Sequence, residues 1–474
     1  MYYFLVSVTF LLITFQLNAQ KVTLSGKSID YSSKELTFYT VPDPVLHEKV
    51  ELASTKVAAD GTFSLVLPIN QTVEIYTDLE KYCGTMVAEP GKNYQIELPP
   101  FSPRTSFESR SIYFKPAPYW LGLPGTGNSD LNYVVRSFIT DFNNETFKNT
   151  IPIYQQKSKE VVSEIIDRLG KKYSTNQSEY FRILKQYYYA ELEYALNQGS
   201  TDYIIRKYFA GQPVHLTHPI YQRVFETIFT DFLRRQAQDI SNQKIVTITD
   251  SGDYIGLTNF FEQKGYGKEL AELVVLKGLN DGYYTGSFSK EGVIKAIDMA
   301  RRAATSPKLQ TIAFQLKHKL TSLAVGGKAP AIKLFNSNNQ TVTLDQFKGK
   351  FIYLTFFKSI SSDCRVELDS IVSVERKFRQ VLSVVSVALD DNFEDAEKIW
   401  KAKGYSWPLL NGSKQKQLII NYNTAIPPTY YLVGPDGNLK LSQAPSPTHG
   451  FEPLFLKIFR DYNFNHQPLQ PNHN

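Results

Sequence analysis

From Lys350 to Phe357 the chain reads Lys-Phe-Ile-Tyr-Leu-Thr-Phe-Phe, an almost unbroken apolar run. A strand of this composition is buried on both faces, which requires helices packed on each side of its sheet. The sequence after it supplies them. A helix is expected from Ser362 to about Gln380, a second buried strand from Val381 to Leu389, and a second helix from Phe393 to Lys403. Tyr430 to Val433, the turn Gly434-Pro435-Asp436-Gly437 and the run Leu439 to Leu441 read as a hairpin, and Phe451 to Tyr462 as a closing helix. The C-terminal third is therefore an α/β domain.

A chain of 474 residues is too long for one core. Its hydrophobic period changes twice. From Lys21 to about Pro103 short alternating runs such as Thr62 to Leu67 are separated by the turn signals Asp60-Gly61 and Glu89-Pro90-Gly91-Lys92, as in an antiparallel β-sandwich. Proline-rich sequence follows. From about Asp130 to Leu323 apolar residues recur at helical spacing, as in Val161 to Leu169 and Tyr221 to Phe229. Gly170, Gly199, Gly265 and Gly278 read as helix stops, and Asn176 and Ser289 as caps. The expected architecture is multidomain: a β-sandwich at 20–103, a connector at 104–129, an all-α middle domain at 130–323, an α/β domain at 326–464 and a polar tail at 465–474.

The first nineteen residues carry no charged side chain and an apolar run from Tyr2 to Phe15, ending at Ala19. This is the pattern of a secretory signal cleaved after Ala19, since the run is shorter than the ~20 residues a spanning helix needs. Export to a periplasm or cell envelope is expected, with no stable membrane span after cleavage. The 52 basic and 46 acidic residues are interleaved, so the net charge of +6 does not argue for nucleic acid. Two cysteines, Cys83 and Cys364, lie in different expected domains and read as unpaired thiols. His215 and His218 are the one close histidine pair, but no third ligand stands near, so no metal is expected, nor any other cofactor. The 30 Tyr and 31 Phe are consistent with packed helix faces, or with an aromatic binding surface.

Particular residues then narrow the C-terminal domain. Lys328-Ala329-Pro330, Leu344 to Lys350, Leu354 to Phe357, Cys364-Arg365-Val366-Glu367 and Ile426-Pro427-Pro428-Thr429 together resemble exported thioredoxin-like domains of the TlpA/AhpC-TSA type, over residues 326 to 464. The strand and turn order before it is similar to a β-rich domain of unknown function that often precedes them. The resemblance implies a thioredoxin fold, a cis peptide bond before Pro428, and a substrate groove formed by Pro427, Pro428 and Thr429. It also exposes a loss: the usual Cys-x-x-Cys centre is Ser361-Ser362-Asp363-Cys364.

A redox centre of this kind needs a thiolate at the helix start, where the dipole and free N–H groups lower its pKa. Ser361 occupies that place, and a serine without an adjacent base is a poor nucleophile. It reads better as the N-cap of the helix, with Asp363 in the first turn favouring the same end. Cys364 is either a small buried helix residue or an attacking cysteine like that of the Thr-x-x-Cys peroxiredoxins. Against the second, Phe357 stands where that family has proline, and no arginine neighbours Pro428.

The leading function is a periplasmic thioredoxin-like binding or scaffold protein with impaired dithiol chemistry and a protein or peptide partner. One alternative is a single-cysteine thiol oxidoreductase or peroxiredoxin-like enzyme using Cys364. Another is a glycan or surface-binding accessory protein.

Overall fold

A computed structural model describes residues 21–105, 108, 114–197, 201–239, 244–413, 415–424 and 426–466. The expected signal, Gly199 and most of the polar tail lie outside them. The chain divides into two compact units, one comprising residues up to 299 with 303–312, the other 300–302 with 313–474.

The first unit opens with eight strands: β1 (Val22–Lys27), β2 (Glu35–Thr40), β3 (Val50–Lys56), β4 (Thr62–Leu67), β5 (Val73–Leu79), β6 (Tyr82–Ala88), β7 (Asn93–Ile96) and β8 (Ala117–Trp120). They form a three-stranded sheet, β4-β1-β7, and a five-stranded one, β3-β2-β5-β6-β8. Alternation decides the faces: in β4, Phe63, Leu65 and Leu67 are buried and the residues between them exposed. These meet Phe38, Ile75 and Met86 of the other sheet in one core. Two departures from an antiparallel sandwich appear. The pairs β1·β7 and β6·β8 are parallel, and β8 comes from the stretch read as a connector. The Asp60-Gly61 turn, with Gly61 at φ +83°, joins strands that belong to different sheets rather than a hairpin.

Helices follow: α1 (Leu131–Lys148), α2 (Lys159–Lys172), α3 (Glu179–Leu196), α4 (Thr201–Ile204), α5 (Pro219–Phe229), α6 (Phe232–Gln238), α7 (Lys244–Ser251), α8 (Tyr254–Glu262), α9 (Lys268–Thr285), α10 (Lys290–Ala303) and α11 (Pro307–Thr321). Asp130, Ser158 and Ser178 cap α1, α2 and α3 by accepting from free N–H groups of the first turn. Asn176 is not a cap; it accepts from Ser178 N–H at 3.0 Å. Nor do Gly170 and Gly278 stop helices, for they lie inside α2 and α9. At Gly278 a Cβ would stand 2.4 Å from that of Leu233 on α6, so the glycine permits close helix packing. The helical region docks on the sheet through Asn132, whose side chain accepts from Val87 N–H at 2.6 Å and donates to Val87 C=O at 2.9 Å.

The abundant rings form much of this core. Tyr187 and Tyr221 meet edge to face at 4.9 Å, and Phe225 and Phe229 pack tilted at 4.6 Å, all four buried. His218 is buried too; its Nε2 lies 3.1 Å from Tyr180 C=O, and burial lowers its pKa to about 3. Among the described residues, no three His, Cys, Asp or Glu side chains are grouped to hold a metal ion, and no helix is long and apolar enough to cross a membrane.

The second unit contains a hairpin, β9 (Lys333–Phe335) and β10 (Thr341–Thr343), then β11 (Phe351–Phe357), α12 (Ser362–Phe378), β12 (Leu382–Ala388), α13 (Phe393–Lys403), β13 (Leu409–Asn411), α14 (Lys416–Asn421), β14 (Thr429–Val433), β15 (Leu439–Ser442) and α15 (Phe451–His466). The main sheet runs β13-β12-β11-β14-β15. All seven residues of β11 are buried. Phe351, Tyr353 and Phe357 face one core and Ile352, Leu354 and Phe356 the other, which is why the run has no polar alternation. The short β13 and α14 go beyond the order expected from sequence.

Candidate functional site

Strand register assembles the site. β11 pairs in parallel with β12 as far as Phe357↔Ala388, and antiparallel with β14 so that Phe356 stands opposite Thr429. The end of β11, the end of β12 and the start of β14 therefore share one edge of the sheet. Onto this edge open the loop to α12, with Ser361, and the loop to β14, with Pro427 and Pro428. The Pro427–Pro428 peptide is cis, and Thr429 Oγ1 donates to Ile426 C=O at 3.0 Å.

Ser361 has extended backbone geometry, and its Oγ accepts the Cys364 N–H at 3.3 Å. It is the N-cap of α12, so one lone pair of its hydroxyl is committed to the backbone. Cys364 lies one turn inside, 1% exposed, and is a free thiol, as is Cys83. Burial pushes the Cys364 thiol up, and the Asp363 and Asp390 carboxylates add to the rise. Hydrogen bonds with the Lys358 backbone and the Ser361 side chain pull the other way without cancelling it. A helix start normally makes a thiolate easier to form; here burial wins.

The loop before α12 is fixed from both sides. Asp390, at the end of β12 and 7% exposed, accepts from Ser359 N–H at 2.9 Å and from Ser359 Oγ at 2.6 Å. Arg365 reaches back to donate to Ser359 C=O at 3.0 Å. Its guanidinium thus serves the backbone of this loop. Sequence reasoning passed over Asp390; the signal is an acidic residue directly after a doubly buried strand, where an ionisable group needs a partner.

A cleft of about 330 Å³ lies beside Pro428, lined by Asn423, Ile426, Pro428, Thr429, Tyr430 and Gln443. Thus Pro428 and Thr429 share a concavity, whereas Ser361, Cys364 and Pro427 do not line it. Ile360, Val366 and Ile426 are exposed apolar side chains on the segments around the site.

Residues 325–442 match the AhpC/TSA family. The chain is 24% identical over 119 residues to the thiol-disulfide oxidoreductase ResA of Bacillus subtilis (strain 168), covering 25% of this chain and 66% of that protein, just under two thirds of its length. It is also 24% identical over 123 residues to ResA of Geobacillus kaustophilus (strain HTA426), covering 25% of this chain and 69% of that one. Among solved structures it is similar to the thioredoxin domain of a thiol-disulfide oxidoreductase from Bacteroides vulgatus, at 23% identity and a TM-score of 0.27, over 28% of this chain and 98% of that one.

Proposed function

We propose that this chain is an exported binding or scaffold protein whose C-terminal domain, thioredoxin-like and of the AhpC/TSA type, keeps the frame of a thiol-exchange site without its chemistry. The observation that carries this reading is the state of Cys364, 1% exposed with its thiol pushed up by burial, in a helix whose first position is a serine. Disulfide reduction needs one thiolate to attack and a second thiol to release the product. Ser361 cannot attack: its oxygen caps the helix, and no histidine lies near it in sequence to act as base.

The remaining asset is a groove. The cleft beside Pro428 and the exposed Ile360, Val366 and Ile426 offer apolar contact next to backbone polar groups, the mixture that suits an extended peptide. The N-terminal leader pattern supports a partner in a periplasm or cell envelope.

The kinship with ResA favours a second reading, a single-cysteine oxidoreductase in which Cys364 works with an external thiol. The aromatic residues that suggested a glycan-binding surface lie largely in the core, which leaves that third reading without its main support. An insulin-reduction assay with dithiothreitol separates the first two. The full-length protein should show no turnover above the dithiothreitol background, and multiple turnover abolished by Cys364→Ser would establish the second.

A further inference from the structure

The cleft beside Pro428 has a wall formed by Gln443 and Ala444, after β15, and the same loop is tied to the helix carrying Ser361 and Cys364 by one carboxylate. Glu367, one turn after Cys364, is 8% exposed. Its Oε1 accepts from Ser446 Oγ at 2.9 Å and from the Thr448 hydroxyl, and its Oε2 accepts the Thr448 N–H at 3.4 Å. The nearer half of the loop has other anchors: Ala444 N–H donates to Tyr430 C=O at 2.7 Å, and Tyr353 OH to Pro445 C=O at 2.8 Å. Among the described residues, Glu367 thus supplies a polar attachment to the helix, beside the apolar packing of Ala444 in the same core.

His449 stands beside the same two hydroxyls. Its Nδ1 lies 2.8 Å from both Ser446 Oγ and Thr448 Oγ1, and 3.6 Å from Glu367 Oε1. A hydroxyl has one proton and a carboxylate has none to give. With both hydroxyls donating to Glu367, neither has a proton left for the imidazole, and that arrangement calls for the proton on Nδ1. A hydrolytic Ser-His-Glu set would place the imidazole between serine and acid; here the carboxylate bonds the serine directly.

We propose that Glu367 is a positioning residue that fixes the wall of the cleft against the Ser361–Cys364 helix and, through Ser446 and Thr448, holds His449 in its Nδ1–H form. Its functional meaning rests on reading the cleft as a peptide groove; the tether itself does not.

Three measurements on the full chain test it. In long-range nitrogen–proton spectra of the neutral ring, His449 should be protonated at Nδ1, with Nε2 bare. In Glu367→Gln the Thr448 amide should exchange with deuterium about tenfold faster or more, and Ala444, which keeps its own bond to Tyr430, should speed up by a smaller but measurable factor. The carboxymethylated insulin B chain, an extended peptide that cannot exchange disulfides, should bind Glu367→Gln at least about fivefold more weakly. The variant Ser446→Ala/Thr448→Ala keeps the carboxylate, so it decides the matter if Glu367→Gln does not fold: it too should speed exchange at Thr448. A proton on Nε2 in the unmodified protein, or unchanged Thr448 protection in both variants, overturns the proposal. If the unmodified protein does not bind the B chain, the peptide-groove reading fails, and the spectra and exchange still decide the tether.

Discussion

The backbone N–H of Cys364 donates to the hydroxyl of Ser361 across 3.3 Å, so the residue standing where a nucleophile would be is occupied in holding the helix together. One consequence is a stability effect. Ser361→Ala should lower the stability of the C-terminal unit by about 1 kcal/mol, while Ser361→Asp, which also caps and adds charge at the positive end of the helix, should keep or exceed the original value. Urea unfolding followed by tryptophan emission reads this, because Trp400 and Trp407 lie in that unit's core.

Restoring the thiol should restore some chemistry. A cysteine at position 361 regains the helix-start effect that favours a thiolate, with Cys364 three residues on as the resolving partner. Ser361→Cys is expected to reduce insulin with dithiothreitol measurably above the unmodified protein. A folded but inactive variant would mean that the groove has diverged along with the nucleophile.

Asp390 makes a pH prediction. Burial raises its carboxyl above the ordinary 3.8, and the hydrogen bonds from Ser359 offset this only in part. The folded state therefore keeps the proton to higher pH than the unfolded chain does. The resulting stabilisation is full below the ordinary value and is lost as pH rises through the raised folded value. Subtracting the pH–stability curve of Asp390→Asn from that of the original should reveal this falling segment. Asp390→Ala leaves the buried Ser359 N–H and hydroxyl without their acceptor and should cost about 2 kcal/mol or more at neutral pH.

Two helical glycines should respond oppositely. At Gly170 the nearest atom to an added Cβ is the Tyr189 hydroxyl at 4.0 Å, so Gly170→Ala should stabilise by about 0.5–1 kcal/mol. At Gly278 the added carbon would stand 2.4 Å from Leu233 Cβ, and Gly278→Ala should cost about 1–3 kcal/mol through overpacking. Thermal unfolding of the full chain reads both signs.

Gly278 also illustrates what the sequence can and cannot convey. Glycine is costly inside a helix, so local reasoning places it at an end; contact with Leu233 on another helix overrides that preference. The central strand from Phe351 to Phe357 was legible because burial on both faces removes all alternation, and Ser361 because capping is a local bond. The strand Ala117–Trp120 was not, since its pairing with β6 is remote and its prolines read as connector. Asp390 was missed, and Glu367, read only as part of the Cys364-Arg365-Val366-Glu367 motif, was given no role, for the same reason: their partners Ser359 and Ser446 lie 31 and 79 residues away. The Ser361 and Cys364 pair needed four consecutive residues to be read, and Pro428 with Thr429 a short motif. The depth at which Cys364 lies is a property of packing from several elements, which no single segment announces.

That depth is the point on which the whole account turns, and thiol titration in a Cys83→Ser background measures it directly. With a chromogenic disulfide such as Ellman's reagent at neutral pH, Cys364 should remain unreacted while the protein is folded, and react fully once urea unfolds it. Rapid, stoichiometric reaction of the folded protein, persisting at acidic pH as an accessible thiolate would, contradicts the binding reading and makes Cys364 the working group of a redox enzyme.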